Sequence, residues 1–391
     1  MSEHDHEGRL FDPPAGAEVD EVPPAASGHR RRRRMPLGGC LSILVALIVV
    51  AVVGYVGVTK GMDSIKDRFS GPDDFDGAGT GAVTFEVRDG ESVSTVGMNL
   101  EQAGVVASVE AFSDAVDQSG KSIQTGIFPL KQQMSAARAV AVLVDREQRL
   151  SSLTLLPGKT VQEIVKLLGA DTDFSRSDYQ QALDDPDTLG LPADADGNAE
   201  GYLYPGQYYI GPDSTAASIL RAMVDRYKQT AEKVDLAGAA KRLGYTEHEL
   251  LTVASLVQAE APAKDMPKVA RVVYNRLEID PNPAAGFLQI DATVNYALGR
   301  GPITRLTIAE IDSVADSPYN TYRQKGLPPG PIEAPGEAAL EAAANPADGP
   351  WFFYVTVNLR TQKTKFTDDY DEFLRFSGEL DDYCATQSDR C

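Results

Sequence analysis

One carboxylic acid in this chain stands where acid–base chemistry would need it. Glu260 closes the run LLTVASLVQAE, and Pro262 follows almost at once. If the run is a helix, Val253, Leu256 and Val257 precede Glu260 by seven, four and three positions and share its face. The carboxyl then lies on an apolar stripe at a helix C-terminus, where desolvation and the negative end of the helix dipole both disfavour its ionised form. A carboxyl that stays protonated near neutral pH is what a glycosidic general acid requires. A second reading stays open on these residues alone, that of a solvent-exposed glutamate at a frayed helix end. The segment carries no Lys or Arg to pair with Glu260.

The element that must position Glu260 has legible ends. Thr246 followed three residues later by Glu249 is a capping-box pattern, and Pro262 limits how far the helix can run. A second helix follows, with Val269, Val272, Val273 and Leu277 on one face and with Tyr274 and Asn275 near its end.

Here the chain resembles a known family. VASLVQAE, VARVVYNRL, LQIDATVNYALG, SPYNTY, GLPPGPIEAPG and the later WFFYVTV are similar, in that order, to motifs of the MltG/YceG-like family of endolytic murein transglycosylases. The resemblance covers roughly Leu155 to Phe376. It implies a mixed α+β catalytic domain and a catalytic glutamate at Glu260. It also implies a set of residues gripping sugar hydroxyls, N-acetyl groups or peptide stems: Asn275, Gln289, Asp291, Thr293, Tyr319, Asn320, Thr321 and Tyr322. Each has a bland alternative. Asp291 and Thr293 could cap a helix starting near Thr293, Tyr319 and Tyr322 could pack the turn after Pro318, and Pro328-Pro329-Gly330-Pro331 reads as a rigid loop. The sequence departs from the family in one place: Asp371-Glu372-Phe373 stands where members often carry a Glu-His pair. Gln258, where many relatives have an acid, leaves Glu260 the sharper candidate.

The implied reaction is cleavage between MurNAc and GlcNAc in a peptidoglycan strand. Glu260 protonates the glycosidic oxygen, and its carboxylate then takes the proton of the MurNAc C6 hydroxyl, which attacks C1 to leave a 1,6-anhydro end. No metal and no organic cofactor is needed. Two rivals remain: a two-carboxylate hydrolase with Asp291 as base or nucleophile, and a non-catalytic cell-wall glycan-binding protein.

The rest of the chain sets the context. It has 391 residues and a net charge of −20, which argues against nucleic acid as a partner. Residues 1–36 are rich in Pro, Gly, Ala and acids and end in the arginines Arg30 to Arg34; they read as a disordered cytoplasmic tail. Residues 37–58 are almost wholly apolar and long enough to cross a bilayer as a helix. With the arginines held inside, the expectation is a single-pass plasma-membrane protein whose N-terminus is cytoplasmic and whose catalytic domain is extracytoplasmic. Its expected partners are peptidoglycan strands, the cytoplasmic membrane and the cell-wall synthesis machinery. Residues 59–82 read as a juxtamembrane linker.

A weak internal repeat then appears. A strand, a turn at Asp89-Gly90 and a helix capped by Ser92 are echoed by a strand from Leu153, a turn at Pro157-Gly158 and a helix capped by Thr160. The first copy, within 83–148, resembles a LysM-like module, which implies either glycan binding or a purely structural role. Residues 149–376 form the expected catalytic domain and 377–391 a tail. Tyr202, Tyr204, Tyr208 and Tyr209 alternate as a strand would place them, broken by Pro205-Gly206. Cys384 and Cys391 either close a small disulfide loop or remain free thiols.

Overall fold

The computed structural model describes residues 72–301 and 306–387. The apolar run at 37–58 and its arginines lie outside them. Among the described residues no helix is long and apolar enough to cross a membrane. The fold is α+β, built from three two-stranded antiparallel sheets and the helices packed on them.

The first unit runs β1 (Ala78–Val87), α1 (Val93–Gln102), α2 (Val109–Ser119), β2 (Gly126–Met134) and α3 (Ala136–Leu143). Strands β1 and β2 pair antiparallel, with Phe85 opposite Phe128. Ser92 and Ser108 cap α1 and α2 through their side-chain oxygens. The two helices cover the sheet and enclose Leu100, Phe112, Phe128 and Leu143.

The second unit repeats this order: β3 (Ser151–Leu155), α4 (Val161–Asp171), α5 (Arg176–Leu183), the short α6 (Pro186–Leu189), then β4 (Gly206–Ile210). Strands β3 and β4 again pair antiparallel, and Thr160 and Ser175 cap α4 and α5. The weak repeat is thus a duplicated βααβ plan. Only part of the tyrosine run is strand. Tyr202 and Tyr204 precede β4 and are buried, because Gly201 and Gly206 turn the chain there. Tyr202 packs edge-on against Tyr227 and hydrogen-bonds His248 Nδ1.

Helices α7 (Ala216–Lys233) and α8 (Leu236–Leu243) lead into α9 (Glu247–Glu260). The capping box at Thr246 and Glu249 forms, and the helix stops at Glu260. An apolar stripe is too modest a description of α9: every residue from Leu250 to Val257 is buried. A helix apolar on all sides belongs in an interior, and α8, α10 (Met266–Glu278) and α13 (Glu337–Ala344) pack around it. Each of its buried Leu and Val side chains contributes roughly 1.5–3 kcal/mol.

Two short helices, α11 (Asp291–Ala297) and α12 (Ile308–Ser313), lie between α10 and the Pro-rich loop. That loop is clamped along α9: Pro329 O meets His248 Nε2 at 3.0 Å, Ile332 N donates to Ser255 Oγ at 3.1 Å, and Gly336 N donates to Gln258 Oε1 at 3.1 Å. Its other side pairs with the second unit, through Lys159 and Ala334. The hairpin β5 (Phe353–Asn358) and β6 (Lys363–Thr367) comes last, covered by α14 (Tyr370–Gln387). This helix crosses the boundary expected at Phe376, so the stretch read as a tail is helical to Gln387. Its Tyr370 and Phe373 stack against Phe353, and Tyr383 is buried. Cys384 is disulfide-bonded; Cys391 lies outside the described residues.

The clamp has a measurable weight. Ser255→Ala strands the buried Ile332 N–H and is expected to cost about 1–3 kcal/mol. Denaturant unfolding checks this, and an unchanged midpoint would show that the loop is held elsewhere.

Candidate active site

Glu260 ends α9 as a part-buried residue, and the surrounding atoms desolvate its carboxyl. Its Oε2 accepts a hydrogen bond of 2.7 Å from the Tyr354 hydroxyl, delivered from β5. Burial pushes the Glu260 carboxyl above the usual carboxylate range. The Tyr354 hydrogen bond pulls it down, the Asp291 charge pushes it up, and the Arg276 charge pulls it down. The helix-end argument made from the residues therefore has desolvation as its largest component.

Arg276, on α10, is buried and forms no salt bridge among the described residues. Its Nε donates to Phe352 O at 2.8 Å and its Nη1 to Leu288 O, while the guanidinium lies 5.5 Å from the Phe353 ring centroid. It thus ties α10 to the two segments that carry Tyr354 and Asp291. Burial lowers its own value, and the nearby Tyr354, Tyr322 and Glu260 oppose that.

The residues implied by the family motifs divide by what their side chains touch. Asp291 is the first residue of α11 rather than its cap, since Ile290 holds the cap position without a side-chain bond. Its Oδ1 accepts from the Tyr322 hydroxyl at 2.5 Å. Tyr319 is half-buried, its ring 4.8 Å from that of Tyr296. Gln289 is exposed, with a left-handed backbone φ of 49°.

The other four are buried and engaged internally. Asn275 donates to Gly349 O and Trp351 O, and Asn320 to Ile311 O and Val314 O. Thr293 bonds Thr321, whose Oγ1 accepts from Ile290 N. These four are held inside the fold, while Asp291, Tyr319 and Tyr322 are part-buried and Gln289 is exposed. Among the described residues no group of His, Cys, Asp or Glu could hold a metal ion.

Sequence reasoning missed Tyr354, Arg276, Glu200 and Glu333. Glu200 is 5% exposed; it accepts from Val161 N and from the Tyr296 hydroxyl, and burial pushes it up to about 8. Glu333 sits in the clamped loop, pushed up to about 7 by burial, then by the charges of Glu163 and Glu260. Nothing local marks them. Tyr354 looks like an ordinary alternating strand residue, and Glu200 hides beside the tyrosine run.

Comparison with known proteins agrees with the geometry. The sequence profile of the YceG-like family matches residues 85–378. A Bacillus subtilis protein named endolytic murein transglycosylase is 31% identical over 292 residues, 70% of this chain and 78% of the relative. A Streptococcus pneumoniae protein of the same name is 30% identical over 346 residues; the match covers 81% of this chain and 60% of that longer relative. The crystal structure of a YceG-like protein from Listeria monocytogenes superposes with a TM-score of 0.52 at 27% identity, covering 75% of this chain and 98% of the other.

The electrostatics give a signed expectation. Tyr354→Phe removes a bond that favours the Glu260 carboxylate, so Glu260 should titrate at higher pH. Asp291→Asn removes a repelling charge, so it should titrate lower. Carbon NMR of labelled glutamate carboxyls reads both, and shifts of the opposite sign would refute the assigned causes.

Proposed function

The chain belongs to the YceG-like family, and from that premise we propose that it is an endolytic lytic transglycosylase of peptidoglycan, with Glu260 as both acid and base. The observation that carries the reading is a desolvated carboxyl at a helix end, held at one oxygen by Tyr354. With burial favouring its neutral form, it delivers its proton to the glycosidic oxygen between MurNAc and GlcNAc as an oxocarbenium-like state develops. The carboxylate left behind is favoured by the Tyr354 hydroxyl and by Arg276. It then takes the proton of the MurNAc C6 hydroxyl as that oxygen closes onto C1, giving the 1,6-anhydro end without water.

The two-carboxylate hydrolase fits less well. Its support would have to come from Asp291, of which one oxygen, Oδ1, accepts from Tyr322, whereas the relatives are named transglycosylases. The βααβ order of the first unit, with its antiparallel sheet under two helices, supports reading it as a LysM-like module that holds glycan. The apolar run at 37–58, flanked by Arg30 to Arg34, supports a single-pass anchor that leaves the catalytic domain outside.

Glu260→Gln keeps the side chain's size but removes both proton transfers, and should lower formation of anhydro-MurNAc ends by at least ~10²–10⁴-fold. Mass spectrometry of uncrosslinked glycan after incubation reads this, with circular dichroism confirming the fold. Full activity in the variant would sink the mechanism, and reducing MurNAc ends from the parent enzyme would identify a hydrolase. For topology, external protease on intact spheroplasts should degrade the part after Thr59; complete protection would exclude export.

A further inference from the structure

Helix α4 starts with a donor that its own capping box leaves over. Thr160 Oγ1 accepts from Glu163 N at 3.2 Å, and the Glu163 carboxylate accepts from Thr160 N at 3.1 Å. The next residue, Val161, still has an N–H with no acceptor inside the helix. That N–H turns to Glu200, 39 positions along the chain, at 3.1 Å from Oε1 and 3.3 Å from Oε2. Oε2 also accepts from the Tyr296 hydroxyl of α11 at 3.2 Å. Glu200 is 5% exposed, so these bonds are made away from water.

The βααβ plan does not itself demand this join. Both units enter their first helix alike, with Gly90 (φ 81°) two residues before the cap Ser92 and Gly158 (φ 82°) two before the cap Thr160. A cavity opens beside each turn, about 360 Å³ in the first unit and about 570 Å³ in the second. In the first, the segment leading into the second strand lines the cavity with Lys121 rather than an acid, and Val93, the counterpart of Val161, is exposed. The first unit therefore folds without a buried carboxyl at this place. What the second has in addition is a neighbour, since α11 and the clamped loop bring Tyr296 and Glu333 to its cavity.

Helix α11 is held at three points. Asp291 Oδ1 accepts from the Tyr322 hydroxyl at its start, Thr293 bonds Thr321 in its middle, and Tyr296 bonds Glu200 near its end. The Tyr296 ring also packs 4.8 Å from that of Tyr319. Asp291 carries the charge that opposes ionisation of Glu260. We infer that Glu200 is a positioning residue for the reaction, latching the second unit to α11 through Tyr296 and so fixing Asp291 and Tyr319 relative to Glu260. The inference rests on the reading of Glu260 as the acid and adds what holds its surroundings in place.

The latch works uncharged. Burial raises the Glu200 carboxyl to about 8; the Val161 N–H, the Tyr296 hydroxyl and the Gly201 N–H pull it down, and the Glu333 charge pushes it up. The neutral acid therefore prevails at pH 7. Because the folded value lies above the ordinary 4.5, Glu200 favours the fold at low pH and loses that contribution as the pH rises to about 8. Above that pH a charge forms between α4 and Tyr296, with Glu333 facing it from the clamped loop. Of the other charged groups on the cavity wall, Glu163 is paired with Lys159 and Arg300 with Glu310. A buried charge so placed favours hydration and loosens the join.

The test follows formation of anhydro-MurNAc ends from uncrosslinked glycan by the full chain in detergent micelles. Tyr296→Phe keeps the ring on Tyr319 and removes only the hydroxyl; it should lower kcat roughly ten-fold and leave KM within about two-fold. Glu200→Ala should do the same, and the double variant should be no slower than either single one, because both break one bond. Glu200→Gln keeps a neutral acceptor of the same size and should stay within about two-fold of the parent near pH 6. Above about pH 8 the parent should lose kcat more steeply than Glu200→Gln, by about one further power of ten per pH unit. An unaffected Tyr296→Phe, losses that multiply in the double variant, or an alkaline limb identical in parent and Glu200→Gln would each overturn the latch. If Glu200→Ala does not fold, Tyr296→Phe and the Glu200→Gln profile decide between them. None of these results touches the acid itself, which stands or falls with turnover by Glu260→Gln.

Discussion

The constraint on which this structure turns is the placement of one carboxyl at the end of a helix whose middle, from Leu250 to Val257, is wholly buried. Burying a charge is costly, so a carboxyl there stays protonated unless something stabilises its ionised form. The fold supplies two modest sources of such stabilisation, the Tyr354 hydroxyl and the Arg276 charge, and one opposing charge, Asp291. Neither extreme would serve the role proposed for Glu260, first giving a proton and then taking one. A direct ion pair would hold the carboxylate too firmly, and an entirely apolar pocket would never let it form.

Arg276 shows how the scaffold manages this balance. A buried guanidinium usually needs a carboxylate partner, yet this one gives its donors to the backbone carbonyls of Phe352 and Leu288. Its charge is therefore shared over the site while its hydrogen bonds hold two distant segments in place. The same economy appears along α9, where His248, Ser255 and Gln258 each fix a different point of the Pro-rich loop. The helix that presents the acid thereby also builds the wall beside it.

The two βααβ units have diverged in context rather than in plan. The first keeps its cavity open to its own surroundings, while the second has the clamped loop and Tyr296 against it. Glu200 joins these parts by accepting from the first residue of α4 and from Tyr296 on α11. Through it the second unit is tied to the helix that begins at Asp291.

Much was legible in the sequence because it is encoded over a few residues. The capping box at Thr246, the helix cap at Thr160, the stop after Glu260, the glycine turns at Gly90 and Gly158 and the internal repeat all follow from local backbone chemistry. So did the choice of Glu260, through its place in a helix and in the family's motifs. The tyrosine run misled because alternation alone does not reveal the turns at Gly201 and Gly206, and the supposed tail is helical because Phe353 offers Tyr370 and Phe373 a surface. Only the tertiary structure decided what surrounds the acid. Tyr354 lies 94 residues from Glu260 in the chain, and Arg276, Asp291, Glu200 and Glu333 reach the cleft from four further segments. Their effect depends on distance and burial, and neither quantity exists until the chain has folded.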